Sequence, residues 1–233
     1  MRNYLIILFI VFTNIALKSQ NKKNQSELKS VLNLFLDANQ EDFSYKLVSD
    51  LRTANGISVF SSVEYAANWG EHNQCRIREN DRDVYDETKH LHLDKEGKTL
   101  SIVDRPLELK NNSLFFNKDM VKALLDEFQS GNIEYNLEKL GGDTVKVLYT
   151  YNQPERYSGL ASSECIFIQS PFEILELRQE YSDNYATIYG YKSFERKYQK
   201  VPLKKKECSI SNYVSITGTE VKLKDLYRGY TFY

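Results

Sequence analysis

The sequence predicts an α+β protein built on one long, curled antiparallel sheet, a half-barrel, with two or three helices packed in its concave face. Three observations support this fold class. Apolar residues alternate with polar ones over most of the chain, which is the period of a strand. The predicted strands follow one another through tight turns, so they pair as a meander without helical crossovers. An open sheet of about ten strands must also curl.

The first 20 residues have the three-part pattern of a secretory signal peptide. Arg2 provides the positive start, an apolar run extends from Tyr4 to Phe12, and Ser19 offers a small residue for cleavage. The run is shorter than the roughly 18 to 20 residues of a membrane-spanning helix. We therefore predict a signal peptide at residues 1–20 and a single domain at residues 21–233. The protein is expected to be exported to the periplasm, with secretion as the second choice.

The composition argues against nucleic acid as a partner. The chain of 233 residues has 31 lysines and arginines against 32 aspartates and glutamates, so no strong field of one sign arises. The only basic run, residues 204–206, is too short for a nucleic-acid surface and is interpreted as a solvated strand end. We expect a monomer without a cofactor.

Three cysteines occur, Cys75, Cys165 and Cys208, and their spacing matches no zinc-binding pattern. We interpret them as buried thiols. The alternative is one disulfide with one cysteine left over, for example a bond between Cys165 and Cys208. The sequence alone does not determine the pairing.

The N-terminal half begins with a helix and continues as hairpins. Residues 26–37 have apolar side chains at helical spacing, and Ser26 at the start of this range is a suitable N-cap. From Phe43 the period changes to two, and an Asn-Gly pair at residues 55–56 marks a tight turn between the first two strands. Short strands follow at residues 74–79 and 82–87.

The most regular hairpin spans Lys89 to Arg105, with Gly97 in its polar turn as the residue expected to adopt a positive φ. His90, His92 and Asp94 leave one face of its first strand, and two imidazoles with a carboxylate suit a transition metal. However, same-face residues lie roughly 6.5 to 7 Å apart along a strand, which is too far for one ion. We therefore predict no metal site and a solvent-facing role for these side chains.

The C-terminal half opens with the strongest helix pattern, residues 117–129, and Gly131 stands just past its end. The period of two then returns and continues almost to the end of the chain. Strands are predicted at residues 144–151, 165–168, 172–180 and 185–198, with shorter elements at 210–216 and 220–223.

No catalytic signature is present in the sequence. There is no G-x-S-x-G nucleophile elbow, and residues 141–144 (GGDT) lack the lysine of a phosphate-binding loop. Glu173 and Glu176 fall on opposite faces of one predicted strand, so they cannot flank one sugar bond. We predict that the protein is not an enzyme and has no catalytic residues.

The order of elements resembles a known family. A short helix, a meander ending in HLHLDKEGKTLSIVD, a second helix, and further strands ending in SISNYV and LKDLYRGYTFY are similar to the LolA-like and LolB-like periplasmic lipoprotein carriers. The resemblance covers most of residues 43–233. It implies a half-barrel whose concave side holds helices and shields acyl chains, and no functional residue of that family can be placed on this sequence.

The leading functional hypothesis is a binding or carrier protein for a lipid-like or lipoprotein ligand, held through its acyl chain. The alternative is a module that binds another envelope protein, with the concave side filled by helices and no ligand. In the first case the helix of residues 117–129 is a plug, and sheet residues line the cavity with it. The predicted lining comprises Leu91, Leu93, Leu100, Ile102, Val145, Val147 and Tyr149 from the sheet and Met120, Leu124 and Phe128 from the plug.

Overall fold

The computed structural model describes residues 26–34, 42–70, 73–104, 118–218 and 220–233. It confirms the α+β class with one large, curled, open sheet, which contains 12 strands. Three helices occur in these ranges: α1 (residues 26–34), α2 (Lys118–Gln129) and α3 (Asp183–Tyr189). Among the described residues, no helix is long and apolar enough to cross a membrane. The predicted signal peptide lies outside the described residues.

The strands occupy most of the chain between these helices. In chain order they are β1 (Phe43–Arg52), β2 (Ser58–Trp69), β3 (Asn73–Ile77), β4 (Asp81–Tyr85), β5 (Lys89–Asp94), β6 (Thr99–Asp104), β7 (Ile133–Gly141), β8 (Thr144–Tyr151), β9 (Leu160–Gln169), β10 (Phe172–Tyr181), β11 (Ser193–Lys200), β12 (Val214–Thr217), β13 (Glu220–Leu223) and β14 (Thr231–Phe232).

The sheet consists of two antiparallel meanders joined edge to edge. The first meander is β1 to β6, the second is β7 to β11, and β1 pairs with β11. The last strand, β14, lies parallel to β6, so the sheet is mixed and not purely antiparallel as predicted. This exception arises because the chain end returns to the outer edge of the first meander. β12 and β13 form a separate hairpin.

The predicted hairpin at residues 89–105 is confirmed as β5 and β6, with Leu93 opposite Leu100. Its turn differs from the prediction, because Lys98 and not Gly97 has the positive φ, 49°. Gly97 is needed for space instead. A Cβ there would lie 2.6 Å from the Asp94 carboxylate, which accepts a hydrogen bond from the Gly97 N–H at 3.0 Å.

One hydrophobic core lies on the face of the sheet that α1 and α2 cover, named here the helix face. Leu28, Val31 and Leu32 of α1 are at most 3% exposed, which confirms the predicted apolar side of this helix. α2 adds partly buried apolar side chains, and burial raises the pKa of the Tyr198 phenol to about 12. The sheet contributes Phe43, Tyr45, Leu47, Ala66, Val145, Val147, Tyr149, Cys165, Phe167, Ile174 and Tyr198.

A second core lies between the first meander and the C-terminal segment, residues 201–233, named here the tail. Tyr213 and Val214 of the tail are each 1% exposed and pack on the sheet. The face they cover is named here the tail face. Its core residues on the sheet are Tyr65, Ala67, Cys75, Val84, Leu91, Leu93 and Leu100.

The two cores lie on opposite faces of the sheet and meet at β2. Ala66 belongs to the helix-face core and Ala67 to the tail-face core, and successive residues of a strand point to opposite faces. Residues 64–68 are each at most 9% exposed, so this part of β2 is buried on both sides. The apolar side of the sheet therefore changes from one face to the other at this strand.

Each face is charged where the opposite face is apolar. On the helix face of the first meander, Arg76 lies opposite Asp83, and Asp83 lies opposite His92. On the tail face of the second meander, Glu195 lies opposite Arg178 and forms an ion pair with Lys197 at 3.1 Å. The leucines of the 89–105 hairpin therefore point to the tail face and its histidines point to the helix face. A single core under the helices would require the opposite arrangement.

The predicted strand over residues 185–198 is wrong in its first half, which forms α3. The Ser182 hydroxyl accepts a hydrogen bond from the Tyr185 N–H at 3.3 Å, and Gly190 ends the helix with φ 80°. Tyr185 stacks on Tyr181 and on Tyr189, with ring centroids 4.9 and 4.2 Å apart. The end caps and this stacking outweigh the strand preference of the tyrosine-rich sequence.

The cysteine interpretation also requires correction. Cys75 of β3 and Cys208 of the tail form a disulfide, whereas the suggested partner Cys165 is a buried free thiol. Cys165 lies in the helix-face core and Cys208 in the tail-face core, so the sheet separates them. Burial raises the pKa of the Cys165 thiol to about 12, and it stays protonated.

Removing the disulfide is expected to destabilise the protein strongly. The bond joins residues 133 positions apart, and a crosslink over a long loop restricts the unfolded chain. Replacing Cys75 and Cys208 together with Ala should lower the free energy of unfolding by about 2–5 kcal/mol in denaturant titrations. The matched control, Cys165→Ala, should cost about 1 kcal/mol. An equal loss in both variants would contradict the pairing.

Candidate ligand-binding cleft

A half-open cleft of about 470 Å³ lies between the tail and the inner strands of the first meander. Val84, Ile210 and Val214 form an apolar base and are 1–6% exposed. The other lining residues surround this base, and all of them except the disulfide-bonded Cys208 are more exposed than the base. They are Trp69, Asn73, Tyr85, Asp86, Lys205, Cys208, Ser209, Ser211 and Ile216.

One wall of the cleft belongs to the sheet. Val84 is placed by β4, where it lies opposite Cys75 in β3 and opposite Leu91 in β5. Trp69 ends β2, opposite Asn73 at the start of β3. Alternation along these strands turns Val84 to the tail face and the neighbouring Asp83 to the helix face. The sheet therefore supplies an apolar floor with aromatic and amide groups at its edge.

The other wall belongs to the tail, which is anchored beside the cleft in two ways. The disulfide holds the Cα atoms of Cys75 and Cys208 5.5 Å apart. The Tyr213 hydroxyl donates to the Glu207 carbonyl at 2.7 Å and accepts from Arg82 Nη1 at 3.0 Å. A 3₁₀ turn at Ile210–Asn212 and strand β12 follow and carry Ile210, Ser211, Val214 and Ile216 of this wall, whereas Lys205 and Ser209 precede the turn.

The cleft combines an apolar base with a polar rim. The Ser209 and Ser211 hydroxyl oxygens lie 2.8 Å apart, and Lys205 stands on the same wall. Asp86 is on the sheet side, where its Oδ1 accepts hydrogen bonds from the backbone N–H groups of Thr88 and Lys89, each at 2.8 Å. An arrangement of this kind can hold a molecule that has one apolar part and one polar part.

The structure does not bring the ten predicted lining residues together. Leu91, Leu93 and Leu100 belong to the tail-face core, with Ile102 packed against it. The other sheet residues belong to the helix-face core, where α2 also packs. These are Val145, Val147 and Tyr149, with Leu124 and Phe128 partly buried against them. Met120 lies in α2, and its side chain is outside the described part of the structure. None of these described side chains lines the cleft.

The residues that line the cleft were not singled out from the sequence. Ile210 to Ile216 was recognised as a short element, but its position beside β3 and β4 was not predicted. A pairing of Cys75 with Cys208 would have placed the tail next to residues 73–85. The cysteine positions were therefore the signal that could have found the site.

His90 and His92 form a polar cluster with Asp83 on the helix face. Asp83 Oδ1 lies 3.0 Å from His90 Nε2 and 2.9 Å from His92 Nδ1. An ionised carboxylate only accepts hydrogen bonds, so both imidazoles donate to it. Tyr85 stacks on His90 with ring centroids 4.2 Å apart. Among the described residues, no group of three His, Cys, Asp or Glu side chains is arranged to hold a metal ion.

This cluster continues into an ion-pair network across β2 to β4. Arg78 lies 2.9 Å from the carboxylate of the buried Glu64 and 3.8 Å from that of Asp83. Burial alone would raise the pKa of Asp83, but the hydrogen bonds from His90 and His92 outweigh it. The pKa of Asp83 therefore lies below its ordinary value. The network is a structural feature of the charged helix face, whereas the base of the cleft lies on the tail face. Tyr85, at the end of β4, both stacks on His90 and lines the cleft.

Comparison with known proteins gives structural matches only. No protein family model matches the sequence, and no curated protein matches it. Among solved structures, an uncharacterized conserved protein from Thermus thermophilus is 9% identical with a TM-score of 0.41, over 77% of this chain and 92% of that one. LprF from Mycobacterium bovis is 12% identical with a TM-score of 0.39, over 77% and 95% of the two chains.

A LolA superfamily protein is among these matches. It comes from Nitrosomonas europaea and is 10% identical with a TM-score of 0.31, over 74% of this chain and 92% of that one. At this level of similarity it assigns neither a ligand nor a site to the chain.

Asp83→Asn is expected to remove a pH-dependent part of the stability. Since the folded state lowers the pKa of Asp83, its carboxylate stabilises the protein above the ordinary value of 3.8. This contribution is lost as the pH falls through the lower, folded-state value. Denaturant titrations should show a less stable variant at pH 7 and a difference that shrinks towards zero below that value. Asp126→Asn, at an exposed position of α2, is the control, and a pH-independent difference for Asp83→Asn would refute the assignment.

Proposed function

We propose that the protein is an exported, monomeric, non-enzymatic binding protein that carries an amphiphilic, lipid-like ligand in the cleft. The observation that carries this proposal is the cleft of about 470 Å³ with a buried apolar base. Its volume falls in the roughly 300–1,000 Å³ range of small-molecule sites, which are mostly apolar with a few polar groups. A lipid or the acyl chain of a lipoprotein has the matching chemistry.

The disulfide supports the proposed periplasmic location. Structural disulfides persist in oxidising compartments and are rare in the cytosol. The bond between Cys75 and Cys208 also forms part of the cleft, since Cys208 lines it. In an oxidising compartment the disulfide would stay intact and hold this wall of the cleft in place.

The proposed site differs from the one expected from the sequence. The cavity expected from the sequence would lie between α2 and the sheet on the helix face, and it is kept as a second proposed location for the ligand. The two locations lie on opposite faces of the sheet, so a variant of each face can distinguish them. Trp69 is suited to report binding because the chain has a single tryptophan and that residue lines the cleft.

Titration with cis-parinaric acid, a fluorescent fatty acid, tests the proposal. Binding in the cleft should quench Trp69 emission by energy transfer, with a saturable curve and a Kd in the micromolar range. Native mass spectrometry of protein purified without detergent should show a bound lipid that solvent extraction recovers. If the titration shows no binding and no lipid is recovered, the carrier function is refuted.

Val214→Asp provides the variant that separates the two locations. It places a charge in the apolar base of the cleft, and affinity for the fatty acid should fall about tenfold or more. Val147→Ala, on the helix face, is the matched control and should leave the affinity within about twofold. A larger loss of affinity in Val147→Ala than in Val214→Asp would place the ligand on the helix face. Circular dichroism would show whether both variants are folded.

A second candidate function is binding to another envelope protein. The β1–β2 hairpin exposes apolar side chains, and Val48 and Val63 are cross-strand partners that are 38% and 52% exposed. Val59 and Phe60 nearer its tip are 53% and 54% exposed. Val48 and Val63 share one face of the hairpin, and exposed apolar side chains that lie together are found at interaction sites.

A photo-crosslinking residue at position 63 tests this second function in cells. We expect a specific adduct with one envelope protein from position 63 and none from position 103. Val103 is a suitable control because it is also 52% exposed but lies on β6, away from the hairpin. Equal crosslinking from both positions would indicate non-specific contact and remove the support for this function.

A further inference from the structure

Lys205 is the positively charged residue in the lining of the cleft. The adjacent Lys204 is engaged, because its ammonium lies 3.7 Å from the Glu207 carboxylate and 5.4 Å from the centre of the Tyr65 ring. Lys205 forms no ion pair with any residue in the described ranges. Its side chain is exposed at the rim, so the ammonium group is available to a ligand.

The negative charge of the lining is held differently. Asp86 begins a turn, and its Oδ1 accepts two backbone N–H groups and the Thr88 hydroxyl, the last at 3.3 Å. These bonds fix the carboxylate within the sheet wall. On the opposite wall Lys205 stands with Ser209 and Ser211, whose hydroxyl groups can both donate. The tail wall therefore offers one cation and two neutral donors, a combination that favours an anion.

The polar and apolar parts of the cleft are separated in space. Val84, Ile210 and Val214 are buried at the base, whereas Lys205 and Ser211 are exposed at the rim. We propose that the ligand is a single-chain amphiphile with an anionic head group, a carboxylate or a phosphate, which Lys205 binds while the chain lies on the apolar base. This inference rests on the proposed function and specifies its ligand class.

Amphiphiles that share a twelve-carbon chain and differ in the head group test the inference. Trp69 emission is followed at pH 8 and below the micellar concentration with dodecanoate, dodecyl phosphate, dodecanol and dodecyltrimethylammonium. The two anions should bind about fivefold more tightly than dodecanol, because an exposed ion pair contributes modestly, and the cation should bind most weakly. Comparing the two anions identifies the carboxylate or the phosphate as the preferred head group.

Lys205→Gln should remove the preference for anions and leave the affinity for dodecanol unchanged. Lys205→Arg should retain the preference, and Lys206→Gln is the matched control, since it removes an equal charge from a residue that does not line the cleft. Equal affinities for all four head groups, or an equal effect of Lys206→Gln, would overturn the role of Lys205 while leaving the carrier function standing. If none of the four amphiphiles binds, both the role of Lys205 and the carrier function are overturned.

Discussion

The double burial of β2 from Glu64 to Asn68 is the constraint on which the arrangement of the molecule depends. A strand with both faces covered must carry side chains that fit both sides, and Ala66 and Ala67 do so with little volume. The apolar surface changes face at this point, so a helix pair covers one end of the sheet and the tail covers the other. Charged residues occupy the face that is opposite the apolar one in each part of the sheet. Asp83 and its two histidines occupy the helix face because Val84 and the hairpin leucines occupy the tail face.

Local features of the fold could be predicted from the sequence, whereas relations between distant segments could not. Alternation located β5, β6 and β8, and helical spacing located α1 and α2, because each pattern reflects burial of one side of one element. β7 was missed because only Ile133, Tyr135 and Leu137 alternate, and the rest of the strand is exposed. Alternation also shows which residues of one strand point to the same side. It does not show whether the apolar sides of two distant strands lie on the same face of the sheet. The hairpin leucines and Val145 were therefore assigned to one cavity although the sheet separates them.

The same limit explains why the cleft could not be found from the sequence. Its walls come from residues 69–86 and 205–216, which are far apart in the chain and show no motif. Three cysteines permit three single disulfides, and only the pair that exists brings these walls together. The histidine pair shows the opposite case. Its spacing on one strand was visible, but its partner Asp83 lies on the neighbouring strand, and cross-strand register determined its role.

The contacts of the tail bear on the order in which the chain can fold. The first meander ends at Asp104, yet among the described residues its tail-face core is covered by the tail, and β14 of the tail pairs with β6. A polypeptide that emerges N-terminus first, from a ribosome or through a translocation pore, cannot complete this half until the tail has emerged. The disulfide between Cys75 and Cys208 therefore forms only after the whole second meander has been made, since Cys208 follows β11 in the chain.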